Sequence, residues 1–276
     1  MGKVISFINM KGGVGKTTLC LGIGEYLAHE LNKKILFIDL DPQFNTTQTL
    51  MNEYNLEEKY LEEFNEEDRT VKKLFATTTK ISERPKLPNK DEVIIKLDRN
   101  IDIIAGTINI IFEDNNKDGG KTRRVKKFIQ DNKLKDEYDF IFIDCPPTIS
   151  LYTDAALIAS EYYIVPNRID RYSILGIKLL KQVIDRLSFD ESIEISPLGI
   201  IYTMVKESTQ KSDLLRDTFE KSEIVKEIGL FKSETTYVND LLVGLQGNIS
   251  SKYKKSRLDI SKVCYELIER IDKYEE

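Results

Sequence analysis

The chain predicts an α/β fold, a doubly wound, mostly parallel sheet with helices on both faces. Three observations carry this: short β-branched apolar runs, helical apolar periodicity between them, and a glycine-rich turn joining the first run to the first helix. The runs fall at residues 4–8, 35–38, 101–104, 140–143, 162–165 and 198–202. Ile35-Leu36-Phe37-Ile38 is apolar without alternation, which fits burial on both faces of a parallel sheet. After the turn, Leu19, Ile23, Tyr26, Leu27 and Leu31 share a helical face. Further helical patterns occupy residues 121–133, 153–160, 173–188 and 208–222, and Ile260, Val263, Cys264, Leu267, Ile268 and Ile271 make a last amphipathic one.

The length of 276 residues suits one large domain spanning 1–276. An excursion at about 52–98 breaks the strand–helix rhythm. Its first part, 52–68, is strongly acidic with Leu56, Tyr60 and Phe64 at helical spacing, and reads as a solvated surface helix. Residues 77–92 carry Pro85 and Pro88 among polar residues and read as a loop.

Composition removes several function classes. Cys20, Cys145 and Cys264 lie far apart without CxxC spacing, so neither a disulfide framework nor a cysteine metal site is expected, and a reducing cytoplasm is. The lone His29 sits in a charge-rich helical stretch and reads as a surface residue. No apolar stretch reaches the roughly 20 residues that span a bilayer, and charges and glycines interrupt any signal-peptide pattern. The C-terminal Lys-Tyr-Glu-Glu would repel anionic lipid, so that helix reads as a packing helix, and no membrane partner is expected. A net charge of −5 argues against wholesale coating of nucleic acid but leaves room for a local basic face.

The chemistry begins at Lys11-Gly12-Gly13-Val14-Gly15-Lys16-Thr17-Thr18, directly after a strand and before a helix. Glycines let the backbone curl so that successive N–H groups face phosphate oxygens, and the helix N-terminus adds its positive dipole end. Lys16 is placed to neutralise β/γ-phosphate charge and the Thr17 hydroxyl to ligate Mg²⁺. A dinucleotide fingerprint fails, because Thr18 stands where the last glycine is needed. An apolar strand ending in Asp144, then Cys145-Pro146-Pro147-Thr148, has the Walker B arrangement, with Asp144 holding Mg²⁺ directly or through water. Cys145 reads as a small buried filler.

The loop departs from the ordinary GxxxxGK[ST] pattern, with Met10 where glycine is demanded and an extra Lys11 before the glycine pair. This resembles the deviant Walker A of the ParA/MinD family, KGGxGK[ST]. The resemblance runs from Lys11 to Pro166, includes the strand at 198–204, and fades after Lys206. It implies an ATPase that binds ATP and Mg²⁺ and dimerises around its nucleotide, with Lys11 reaching the partner's phosphates. Asp39-Leu40-Asp41-Pro42-Gln43 is similar to the family's switch I, which implies that Asp41 orients the attacking water and Asp39 helps organise the Mg²⁺ shell. The switch II resemblance extends to Thr148 only loosely. Asn167-Arg168-Ile169-Asp170 has arginine where the guanine-reading NKxD motif has lysine, and Tyr202-Thr203-Met204-Val205 lacks the needed aspartate, so adenine is favoured.

Within the family, the tail lacks the basic amphipathic end of a MinD-like positioner acting on a membrane or protein assembly. The cysteines give no pair to bridge a 4Fe–4S cluster, and there is no tyrosine-clustered tail. The remaining expectation is a DNA-partitioning ATPase, nucleoid-associated, whose ATP-bound homodimer binds nonspecific DNA. With Lys3 already opening the first strand, no N-terminal helix-turn-helix is expected, and a separate centromere-binding adaptor protein is implied. The densest cations, Lys252, Lys254, Lys255 and Arg257, surround Tyr253 and make the candidate DNA face.

Overall fold

A computed structural model describes residues 1–76, 86–113, 120–244 and 247–275. Its sheet has seven strands in the order β3-β4-β2-β5-β1-β6-β7. They are β1 (Lys3–Phe7), β2 (Ile35–Asp39), β3 (Ile94–Lys96), β4 (Ile101–Ile104), β5 (Phe140–Asp144), β6 (Tyr162–Asn167) and β7 (Ser196–Tyr202). All neighbours pair in parallel except β3, an antiparallel edge strand on β4.

The apolar runs are continuous because both faces of the sheet are covered. In β2, Leu36 and Ile38 enter one core while Ile35 and Phe37 enter the other; in β5, Ile141 and Ile143 part from Phe140 and Phe142 in the same way. The first core is closed by helices that include Leu151–Ala159 and Ser173–Glu191. The second is closed by α1 (Lys16–Glu30), α2 (Asn45–Glu53) and the C-terminal helix Lys254–Glu275. That last helix buries Ile260, Val263, Cys264, Leu267 and Ile271, so its apolar stripe is a packing face.

The described residues of the 52–98 stretch pack into the molecule. Tyr60 and Phe64 are buried on short helical segments, Glu57–Lys59 and a π-helix Tyr60–Phe64, with the acids facing out. Val71, Leu74 and Phe75 join the first core, and the segment ends in β3, which no sequence pattern announced. Of the loop expected at 77–92, residues 77–85 lie outside the described residues; Lys90–Glu92 forms a 3-10 turn. No described helix is long and apolar enough to cross a membrane.

The topology gathers the motifs. Strands β2, β5 and β1 are adjacent, and their register sets Asp39 opposite Asp144 and Asp144 opposite Phe7, the last residue of β1. Ligands of open α/β sheets bind at this carboxyl edge, where chain connections diverge to the two faces.

Candidate nucleotide-binding site

Between β1 and α1 the chain curls through Gly13 (φ 69°) and Gly15 (φ 81°), left-handed conformations that an L side chain resists. Gly15 is the N-cap of α1, so the helix N-terminus opens straight onto the loop. Two side chains that sequence reasoning missed fasten it. Asn9 accepts from Lys11 N–H (3.0 Å) and donates to the Pro166 carbonyl (2.8 Å), and Thr203 donates to the Val14 carbonyl (2.7 Å). A single sequence offers little signal for either, since the Asn9–Pro166 and Thr203–Val14 bonds join residues far apart in the chain.

Lys16 is buried, with its ammonium 3.4 Å from the Lys11 carbonyl. Burial lowers its pKa against the opposing pull of Asp144, Cys145 and Asp41. Lys11 is half-exposed and ion-paired with Asp170 of its own chain. Asp170 also takes up Tyr172 N–H (2.9 Å) and Ser173, so this carboxylate faces the P-loop lysine rather than a base pocket.

Opposite the loop, Asp144 Oδ2 accepts from Thr17 (2.6 Å) and from Thr46 of α2 (2.8 Å). Its Oδ1 is buried without a partner. Burial raises the Asp144 carboxyl to about 6, although the two threonine hydrogen bonds oppose that. Asp39 is fully buried and differently occupied: Thr47 donates both its N–H (2.8 Å) and its hydroxyl (2.7 Å) to Oδ2. Asp39 thus caps the first turn of α2 from the neighbouring strand, where a carboxylate favours the helix dipole. Burial, then the Asp144 charge, raises its pKa. Asp41 lies in the same crowd; it accepts from Gln43 N–H (2.9 Å), and burial raises its carboxyl.

Three raised carboxylates, one with a buried free oxygen beside a threonine hydroxyl, form an electrostatic setting that a hard cation relieves. Among the described residues, no group of three or more His, Cys, Asp or Glu could hold a metal unaided. A cation here would share phosphate oxygens, the usual arrangement for Mg²⁺.

A cavity of about 850 Å³ opens beside this edge, lined by Gly15, Thr18, Phe44, Thr203, Met204 and Tyr237 among others. Thr148 is exposed on the loop after β5, and its carbonyl accepts from Thr153. Cys145 is fully buried, and burial pushes its thiol well above the usual range.

The basic stretch is split by the fold. Lys252 pairs with Glu53 and Arg257 with Glu30 (2.6 Å), while Tyr253 is buried and donates to the Gly247 carbonyl (2.6 Å). Lys254 and Lys255 are exposed, and among the described residues neither has an ion-pair partner.

Comparison with known proteins agrees with this geometry. Residues 2–195 match the model of a family described as an AAA domain. The chain is 30% identical over 240 residues to the chromosome-partitioning ATPase Soj of Treponema pallidum, covering 87% of this chain and 80% of that one. It is 29% identical over 209 residues to the sporulation initiation inhibitor protein Soj of Bacillus subtilis, covering 76% and 75%. A Borrelia burgdorferi plasmid partition protein bound to AMPPNP superposes with a TM-score of 0.75 at 21% identity, covering 98% of this chain and 99% of that one. Mycobacterium smegmatis cobyrinic acid a,c-diamide synthase, solved with an ATP analog and magnesium, gives 0.75 at 19%, covering 97% and 94%. At such identities those two structures speak for the fold alone. The matched family, together with the loop built on Lys11 and Lys16, makes the chain a member of the ParA/MinD-type P-loop ATPases.

Proposed function

We propose that the protein is a DNA-partitioning ATPase. Mg-ATP binds the P-loop, two copies dimerise around their nucleotides, the dimer binds DNA without sequence preference, and hydrolysis resets both steps. The observation that carries this reading is Lys11, a second cation beside the phosphate cradle, half-exposed and held by Asp170. Two nucleotides brought face to face repel, and a lysine donated across the interface offsets that repulsion. Relatives that include chromosome-partitioning ATPases support the cellular role.

The N–H groups of residues 12–18 and the Lys16 ammonium bind the phosphates. Thr17 and Asp144 hold Mg²⁺, with Asp39 contributing through the Thr47 contacts that shape switch I. When bound there, the ion would supply neutralisation of phosphate charge. Asp41, with its carboxylate held by the Gln43 N–H, positions the attacking water. Adenine occupies the cavity beside Thr203 and Met204; Glu57, the carboxylate that lines it, already accepts from the Asn52 side-chain amide (2.9 Å).

For DNA we assign Lys254 and Lys255, joined by the exposed Lys262 one heptad along the same helix. Lys252 and Arg257 border this face with their charge already compensated by Glu53 and Glu30. A separate adaptor that couples the dimer to its cargo completes the scheme.

Fluorescence anisotropy with random-sequence duplex, paired with light scattering, tests the cycle. With ATP the protein should be dimeric and bind DNA, with ADP neither. Lys11→Ala should bind ATP yet stay monomeric. A monomer that binds DNA equally well with ATP, with ADP and without nucleotide would contradict the proposal.

A further inference from the structure

Among the described non-glycine residues with positive φ, only Phe44 (42°) and Met204 (54°) carry apolar side chains; the others are Asn32, Asn55, Asp68, Lys133 and Ser192. Asparagine and aspartate enter this region readily, whereas for a bulky residue it is an outlier. Both apolar outliers line the cavity beside Gly15. Such strain persists only where surrounding contacts over-determine it, and it gathers at switches and ligand sites.

Phe44 is the N-cap of α2, at φ 42° and ψ 38°, and gives the helix no side-chain cap. Its N–H donates to the Asp41 carbonyl (2.8 Å), closing a turn on Asp41, and its own carbonyl accepts from Gln48 N–H (3.0 Å). The residue therefore sets the direction in which the chain leaves Asp41 and enters α2. Two and three residues later, Thr46 reaches Asp144 and Thr47 reaches Asp39. A change of Phe44 to a relaxed backbone would swing α2 and withdraw both threonines.

The side chain supplies what holds that backbone. The Phe44 ring lies 6.2 Å from the Tyr60 ring, centroid to centroid, with 33° between planes. Tyr60 is anchored in turn, its hydroxyl donating to the Gly106 carbonyl (2.7 Å). Gly106 N–H donates to the Thr47 hydroxyl (2.7 Å), and a Cβ on Gly106 would stand 3.0 Å from the Phe44 Cβ and 2.8 Å from the Asp39 Cγ. Ring, tyrosine, glycine and threonine close a loop of contacts around one strained residue.

We propose that Phe44 is a positioning residue for ATP hydrolysis: its left-handed backbone seats Thr46 on Asp144 and Thr47 on Asp39, and its ring, braced on Tyr60, keeps that backbone in place. The inference rests on the ATPase reading. Turnover by the unaltered protein tests that reading alone, and the comparison of two Phe44 variants tests only the hinge.

Phe44→Ala keeps the left-handed penalty and loses the brace; Phe44→Gly loses the brace and the penalty together. The alanine variant should lose roughly fivefold or more in kcat, from the left-handed cost that glycine escapes. Its ATP affinity in EDTA should be unchanged, and the Mg²⁺ needed for half-maximal turnover should rise. The glycine variant should stay within about twofold of the unaltered protein, by the same reasoning. In nucleotide-free protein, the Thr47 amide should exchange its hydrogen roughly fivefold faster in Phe44→Ala than in Phe44→Gly, reporting the hinge without catalysis. A residue that merely fills space predicts the reverse order, since glycine leaves the larger gap; equal variants, or a worse glycine, overturn the proposal. Should Phe44→Ala fail to fold, Tyr60→Ala gives the same information. It should speed Thr47 exchange in the unaltered background and barely change it in the Phe44→Gly background, and equal effects in both would overturn the proposal.

Discussion

The P-loop and the basic stretch at 252–257 both join lysines to the start of a helix, yet the fold treats them in opposite ways. In the loop, backbone geometry shapes the cradle: Gly13 and Gly15 adopt left-handed conformations, Asn9 ties the loop to β6 and Thr203, just past β7, ties it at Val14, and Lys16 is buried among carboxylates. In the basic stretch only side chains are on offer, and two of its cations, Lys252 and Arg257, are compensated by glutamates from α1 and α2. Charge held by a rigid cradle is committed to one ligand, whereas charge on a helix surface is shared with whatever acid lies near. The difference teaches why a motif transfers function to a new sequence more securely than a charge count does.

The comparison is sharpened first at Lys16. Lys16→Ala leaves the phosphates facing a cradle without its cation beside Asp39, Asp41 and Asp144. ATP affinity should fall by about a hundredfold or more, and turnover should disappear. Calorimetry that finds ordinary ATP affinity in this variant would break the assignment of the loop. Asp41→Ala is the second step. The cradle stays whole while the carboxylate proposed to position the water is gone, so kcat should drop by roughly a hundredfold or more with ATP affinity retained. Gel filtration should then show an ATP-bound dimer that accumulates; turnover near that of the unaltered protein would remove Asp41 from its role.

The cradle was readable in the sequence because its conformational demands are written as glycines, and Asp144 because a buried strand must end before a charge can face a ligand. Contacts made across the sheet left no such trace. Thr46 meets Asp144 across 98 residues and Thr203 meets Val14 across 189, so no local spacing marks either. β3 is three residues long at the end of a polar stretch, too short for a periodicity to show. His29 read as an ordinary surface residue, and its ring is indeed half-exposed. Its Nε2 nevertheless lies 2.9 Å from Glu25, a carboxylate buried in α1 that the helical pattern gave no reason to single out. The tilt of Phe44 into the left-handed region is a property of the folded turn, invisible in the letters Asp-Pro-Gln-Phe.

The smallest effect separates the two halves of the basic stretch. Each phosphate contact contributes about 0.9 to the slope of log affinity against log salt. Replacing Lys254 and Lys255 together by alanine removes two cations per protomer, so the slope for an ATP-bound dimer should flatten by about 3 to 4 units if all four touch phosphate. Replacing Lys252 and Arg257 together should change it by less than about one unit, because each must first leave its glutamate to meet DNA. The pairs sit on the same few residues of chain, so a difference between them isolates charge compensation from location. A salt series of anisotropy titrations on both double variants measures it. Equal flattening by the two pairs would mean that the ion pairs with Glu53 and Glu30 open freely on DNA. A larger loss from Lys252 and Arg257 would move the DNA face toward α1 and α2, and with it the surface that the dimer turns to the duplex.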